Sequence, residues 1–180
     1  LIDLVQIVLE TYKVRDGNIR LYKENILLKG FIKEIIEEMQ PIAQKTNNTL
    51  EFIQQRDIRV YADRIQLKRV IKNLIQNAIS YGEPNFPIEV SIGEIPQYIV
   101  IKVKDYGAGI SKTDIDKIFN KYYSAAKKFR KIGTGLGLYL ALQIIKSHNG
   151  ELSVESEEGN FTEFTIKLPA VMNINLHYGE

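Results

Sequence analysis

Apolar residues recur along this chain at two periods, about 3.6 and 2, and the switches between them divide it into elements. Leu1, Val5, Val8, Leu9 and Tyr12 keep helical spacing as far as Asp16-Gly17, and the pattern opens without a start signal, as in a helix cut from a longer one. A second amphipathic helix is expected from about Leu28 to Lys45 on Phe31, Ile32, Ile35, Ile36, Met39 and Ile42, with Pro41 kinking or ending it. Two short strands follow, Thr49 to Gln54 and Arg59 to Ala62, and Asp63 is placed to cap a helix reaching Ile79. Alternating segments Pro87 to Ile95 and Tyr98 to Asp105 read as strands joined by a turn at Pro96. A glycine-bearing loop, a short helix from Ser111 and an apolar-poor segment from Asn120 to Gly133 lead to a helix from Leu136 to His148. Glu151 to Ser156 and Thr162 to Leu168 read as a closing hairpin, and nothing after Pro169 has a clear period.

Helices mixed with strands in tight hairpins imply an α+β domain, an antiparallel or mixed sheet covered on one face by helices. The 180 residues suffice for one such domain and roughly one extra helix. With 44% hydrophobic and 26% charged residues the composition is that of a soluble globular chain. No apolar run approaches the roughly 18 residues that cross a bilayer. The absence of cysteine excludes a disulfide framework and a thiolate zinc site, and with no secretory signal a reducing, cytoplasmic setting is expected. Asn47-Asn48-Thr49 and Asn160-Phe161-Thr162 match the glycosylation sequon and are read as chance. A net charge of +2 says little about partners.

Three constellations carry candidate chemistry. Asn73 and Asn77 lie four apart on one face of the helix whose apolar side is Leu67, Val70, Ile71, Leu74 and Ala78; paired amides there also read as ordinary surface residues. Asp105-Tyr106-Gly107-Ala108-Gly109-Ile110 follows an apolar strand, so that a carboxylate meets two alternate glycines where the backbone can approach a flat ligand, or simply turn. Gly133-Thr134-Gly135-Leu136-Gly137-Leu138 opens a helix, where free N–H groups and the helix dipole favour phosphate. The last is neither a Walker loop nor a dinucleotide fingerprint, because Gly-Lys-Ser/Thr is missing and position 138 is Leu.

In this order the motifs resemble the histidine-kinase branch of the superfamily that includes gyrase, heat-shock and mismatch-repair ATPases. NLIQNAISY looks like its N box, DYGAGI its first glycine box, IFNKYY (Ile118 to Tyr123) its F box and GTGLGL its second glycine box. The resemblance spans about Leu28 to Pro169 and implies a two-layer sandwich. Its mixed, mostly antiparallel five-stranded sheet would lie under about three helices, with the ATP site beneath a mobile lid. It implies that Asn77 offers an amide oxygen to Mg²⁺, with Asn73 supporting the phosphate side and both counted as catalytic. It also implies that Asp105 accepts from the adenine amino group, that Gly107 and Gly109 clear space for the purine, and that Ile110 and Tyr81 wall it. Backbone N–H groups of Gly135, Leu136 and Gly137 are expected at the phosphates, with Thr134, Leu138 and Tyr122 in the same set, and Thr162 completing the adenine network. Lys127 and Arg130 are the expected phosphate contacts of the lid, which also holds Lys121, Lys128 and Lys131.

The chain departs from that pattern twice: Ser80 stands where many relatives have Lys or Arg, and Gly159-Asn160-Phe161 lacks the usual glycine before Thr162. The hydrolysing relatives place a Glu general base where this chain has Asn73, and an amide cannot take the proton. Slow hydrolysis is therefore expected, with the γ-phosphoryl passing to a histidine on another domain. Neither His148 nor His177 has an acceptor's sequence context. Residues 1–17 are thus read as the end of a dimerisation and phosphotransfer helix, 18–27 as a linker, 28–169 as the catalytic domain and 170–180 as a tail. Partners implied are the chain's own phosphotransfer domain and a response regulator, in a homodimeric full-length protein of which this piece is monomeric. A dimeric ATP-gated machine and a degenerate binding module are the competing readings. A nucleic-acid binder is disfavoured because the basic residues lack an aromatic platform.

Overall fold

The computed structural model describes residues 19–54, 56–123 and 135–170. The element order is β1 (Lys23–Leu27), α1 (Leu28–Gln44), β2 (Thr49–Gln54), β3 (Arg59–Asp63), α2 (Arg64–Tyr81), β4 (Pro87–Ile95), β5 (Tyr98–Asp105), α3 (Gly137–Ser147), β6 (Glu151–Glu157) and β7 (Phe161–Pro169). Five strands form one sheet in the order β2-β4-β5-β7-β6, antiparallel except for the parallel β2–β4 pair, while β1 and β3 make a separate antiparallel pair.

Strand alternation decides which face is covered. Ile88, Val90 and Ile92 of β4, Ile99, Ile101 and Val103 of β5, and Phe164, Ile166 and Leu168 of β7 point into the core. The alternate Lys102 and Glu163 face the other side, where they form a 2.6 Å ion pair. Over the apolar face lie α1, through Phe31, Ile32, Ile35 and Met39, α2, through Leu67, Ile71, Leu74 and Ile75, and α3, through Ile144 and Ile145. Each such side chain, fully buried, contributes roughly 1.5–3 kcal/mol of apolar transfer. The helices α1 and α2 are held in register by a ladder: Arg64 to Glu34 at 2.7 Å, Lys68 to Glu34 and Glu38 at 2.9 and 3.0 Å, and Lys72 to Glu38 at 2.5 Å. These exposed pairs set side-by-side alignment rather than stability.

The α2 start behaves as its sequence implies. Asp63, buried, caps it by accepting from the Gln66 N–H at 3.0 Å, and its other oxygen accepts from the Tyr22 N–H at 2.8 Å. His148, at the far end of α3, closes on the same joint. Its Nδ1–H donates to the Ile144 carbonyl at 2.8 Å while Nε2 accepts the Asp63 N–H at 2.9 Å, which requires the neutral ring. Burial holds its pKa below the usual imidazole value.

Three expectations change. Lys23–Leu27, expected within a linker, is a strand paired along its whole length with β3, because the partner that satisfies its backbone lies some 36 residues on in sequence. The short helix from Ser111 is a succession of turns, with Ile115 N–H on Ser111 O and Lys117 N–H on Asp114 O. Pro41 does not end α1, which runs on to Gln44 with the proline exposed.

Candidate functional site

Strand β5 carries its last side chain, Asp105, beneath the C-terminal end of α2. The two elements are stitched there: Ala108 N–H donates to Tyr81 O at 3.2 Å, Glu83 N–H to Tyr106 O at 2.7 Å, and Gly82 bridges Gly107. Asp105 is 3% exposed, and its Oδ1 is buried without a hydrogen-bond partner. Desolvation raises its pKa from 3.8 to about 7. An acceptor oriented by the fold and left unused is what a ligand N–H would complete.

Thr162 of β7, also buried, is the direct cross-strand partner of Asp105. The missing glycine before it does not displace it, since the β6–β7 turn uses Gly159 at φ +80° and the ladder from Phe161 onward stays in register. Ser156 was not singled out by sequence and organises this corner. Its hydroxyl donates to Phe161 O at 2.6 Å, receives the Ile110 N–H at 2.8 Å and lies 3.2 Å from Thr162 Oγ1. No sequence signal marks a lone serine in a β-strand.

Beside the role expected of Gly107 and Gly109, room for a purine, the fold itself makes a demand on both. A Cβ at Gly107 would strike Tyr81 O and come within 2.7 Å of Gly82 Cα. At Gly109, where φ is +61°, it would strike the Glu157 carbonyl. Both glycines are demanded by the chain's own close backbone approach, and the ligand pocket inherits that compactness. Tyr81 and Ile110 are half-buried beside this corner, and burial pushes the Tyr81 phenol up, so it stays neutral.

From Tyr81 the helix α2 runs away from Asp105, placing half-buried Asn77 one turn on and Asn73 two turns on. Asn73 meets the start of α3: a Cβ at Gly137 would collide with its Oδ1, and its Nδ2 is buried without a partner. Between the two helices a cavity of about 70 Å³ is lined by Arg69, Asn73 and Gly137 at its polar end and by Val70, Leu140, Ala141 and Ile144 below. Leu136 is buried and Leu138 half-buried. Gly135, at φ +65°, accepts from the Tyr122 N–H at 2.9 Å; Tyr122 itself has φ +64°, an exposed ring and the Lys121 ammonium 5.0 Å from it. Lys127, Arg130 and Thr134 lie outside the described residues. Among the described residues no three His, Cys, Asp or Glu side chains group as a metal site.

Chemically, the arrangement is an elongated site. The buried acceptor Asp105 lies by the C-terminal end of α2, the neutral amides of Asn77 and Asn73 follow along that helix, and Asn73 meets the N-terminal start of α3. An adenine amine, a cation held mainly by phosphate oxygens, and the phosphates themselves match that order.

Residues 62–172 match the family described as histidine kinase-, DNA gyrase B-, and HSP90-like ATPase. The chain is 32% identical over 175 residues to the sensor histidine kinase WalK of Bacillus subtilis (strain 168), covering 94% of this chain and 28% of that protein. It is 33% identical over 173 residues to a sensor protein kinase WalK of Staphylococcus aureus, covering 94% of this chain and 41% of that one. It therefore spans between about a quarter and two-fifths of the length of these relatives. Among solved structures, the catalytic domain of histidine kinase ThkA superposes with a TM-score of 0.74 at 28% identity, covering 83% of this chain and 97% of that one. The histidine kinase AdeS of Acinetobacter baumannii shares the fold, with a TM-score of 0.78 at 24% identity over 94% of this chain and 78% of that one.

Proposed function

The chain belongs to the histidine kinase-, DNA gyrase B- and HSP90-like ATPase family, and from that premise we propose that it is the catalytic ATP-binding domain of a two-component sensor histidine kinase. It takes ATP with Mg²⁺ and delivers the γ-phosphoryl to a histidine on a separate helical domain. The observation that carries the nucleotide assignment is Asp105: buried, cross-strand from Thr162, with an unused acceptor oxygen. An adenine amine donates to it, whereas guanine presents a carbonyl at that place and leaves both acceptors unpaired, a difference of roughly 1.5–3 kcal/mol.

Asn77 is the metal ligand in this reading. One neutral amide oxygen suits Mg²⁺, which keeps waters and phosphate oxygens for most of its shell and supplies charge neutralisation between the phosphates. The N–H groups at Gly135, Leu136 and Gly137 donate to phosphate oxygens at the α3 start, with Leu138 and Tyr122 in the same set; Thr134, Lys127 and Arg130, outside the described residues, are the further phosphate contacts that the family resemblance implies. Asn73 holds the γ end. Being an amide it takes no proton from water, so this chain's contribution is positioning and electrostatic stabilisation while hydrolysis stays slow. Residues 1–17, read from the sequence as the end of a phosphotransfer helix, lie outside the described residues, and the downstream partner is a response regulator. The full-length protein is a homodimer and this piece a monomer.

The test is calorimetric titration with ADP and ATP, with and without Mg²⁺, beside Asp105→Asn and Asn77→Ala. Adenine-selective binding that disappears in Asp105→Asn, with Mg²⁺ dependence lost in Asn77→Ala, is expected. No binding by the unmutated chain would refute the proposal.

A further inference from the structure

We propose that Ser156 is a positioning residue for base recognition: it holds the O–H of Thr162 as a hydrogen-bond acceptor, so that Thr162 meets a ligand as a second acceptor beside Asp105. The inference rests on the nucleotide reading above and deepens it, adding the residue that sets the direction of hydrogen bonding in the adenine corner.

Three cross-strand rows span β6, β7 and β5 on the helix-covered face of the sheet. Leu152, Ile166 and Ile101 form the first, Val154, Phe164 and Val103 the second, and Ser156, Thr162 and Asp105 the third. Two apolar rows thus end in one polar row, carried on side chains that the strand period turns to the same face. Cross-strand neighbours have Cβ atoms about 4.5–5.5 Å apart, so the Thr162 hydroxyl stands within reach of the side chains on both sides, yet it has one hydrogen to give.

The direction of that hydrogen follows from the bonds Ser156 already makes. Its single hydrogen is committed to the Phe161 carbonyl at 2.6 Å, and one lone pair takes the Ile110 N–H at 2.8 Å. The other lone pair faces Thr162 Oγ1 at 3.2 Å, and with no hydrogen left on Ser156 this contact is a bond only when Thr162 donates. Thr162 then has none for Asp105, whose Oδ1 stays buried without a partner. What Thr162 has left is lone pairs. Asp105 and Thr162 both accept, so a base with an exocyclic amine completes the row, while a 6-oxo base sets an acceptor against acceptors.

The experiment measures Mg-ATP affinity of the 180-residue chain by calorimetry, and Mg-ITP affinity by displacement of bound ADP. Inosine carries a carbonyl where adenine carries its amine. The unmutated chain is compared with Ser156→Ala, Ser156→Thr, Thr162→Val and the Ser156→Ala/Thr162→Val pair, with a melting curve of each. In Ser156→Ala the Thr162 hydroxyl is released to donate to Asp105 or to the inosine carbonyl, so the preference for ATP over ITP should fall about fivefold. A residue that merely braced the Ile110 loop would weaken both nucleotides alike. Ser156→Thr keeps the hydroxyl and should keep the preference. Once Thr162→Val has removed the group through which Ser156 acts, adding Ser156→Ala should leave the ratio where it was. An unchanged ATP-to-ITP ratio in Ser156→Ala overturns the proposal and leaves the nucleotide reading intact, and so does a further fall when Ser156→Ala is added to Thr162→Val. Should Ser156→Ala fail to fold, Ser156→Cys, whose thiol is a weak acceptor, decides by the same ratio. Failure of the unmutated chain to bind ATP overturns both.

Discussion

Asp105 is a carboxylate placed where its charge is costly, and that conflict has measurable consequences. Its pKa is raised from 3.8 to about 7, so between those values the folded chain keeps a proton the unfolded chain has released. Stability therefore falls as pH rises through that window and carries the full penalty above it. Asp105→Asn is expected to stabilise the ligand-free chain by about 1–3 kcal/mol at pH 8 and by nothing at pH 4, read from urea midpoints at the two pH values. The same residue makes adenine binding pH-dependent: ionised Asp105 is the better acceptor, so ATP affinity should rise by up to about tenfold from pH 6 to pH 8, and calorimetry should show the rise absent in Asp105→Asn. Gly107 is the second residue-scale case. Because a Cβ there meets the Tyr81 carbonyl and Gly82, Gly107→Ala should destabilise by about 3 kcal/mol, a loss visible in thermal melts without any nucleotide.

Among the elements, the joint between β3 and α2 matters most, because it orients the stripe bearing Asn73 and Asn77. Asp63 caps the helix, Tyr22 ties β1 to Asp63, and His148 clamps the end of α3 onto the same backbone. His148→Ala leaves a buried N–H unpaired and a cavity behind it, and should cost about 2–3 kcal/mol at pH 7 in urea unfolding. The pH sign is opposite to that of Asp105. The His148 pKa is lowered from 6.5, so the unfolded chain takes up a proton first and this contribution fades as pH drops below about 6.5. His148→Ala should lack that acid-side loss, which separates the two groups in one series of pH-dependent melts. The β5–β7 pairing is the other feature that decides the site, since its register brings Thr162 beside Asp105, while the β6–β7 hairpin sets Ser156 across from Thr162.

For the whole molecule the expected behaviour is that of a phosphoryl donor without its acceptor. Incubated with labelled ATP, the chain should retain no stable phosphate and turn ATP over slowly, since Asn73 is no general base. With an added phosphotransfer domain bearing the acceptor histidine, label should appear on that domain. Fast turnover by the chain alone would sink the reading of Asn73. No helix among the described residues is long and apolar enough to cross a membrane.

Much was legible without coordinates because local rules were decisive. The periods marked α1, α2 and β4 to β7, Asp63 declared a helix start, and the order of the Asn helix, Asp-Gly turn and Gly-rich helix start marked the family and a candidate site. Where partners lie far apart in sequence, the chain alone was mute. A strand at Lys23–Leu27 exists only because β3 accepts its hydrogen bonds, and Ser156 matters only because a hairpin folds it under Ile110. The packing demand on Gly107 and Gly109 is invisible in sequence for the same cause: periodicity records which residues face the core, while close backbone approach arises only when distant segments meet. Sequence by itself determined the fold class, which follows from local pattern, and the family that the ordered motifs resemble, with the nucleotide that the family implies. Tertiary structure alone decided that Asp105 is desolvated with an unpartnered oxygen, and that Thr162 faces Ser156 on one side and Asp105 on the other, because burial and facing depend on what packs against a residue.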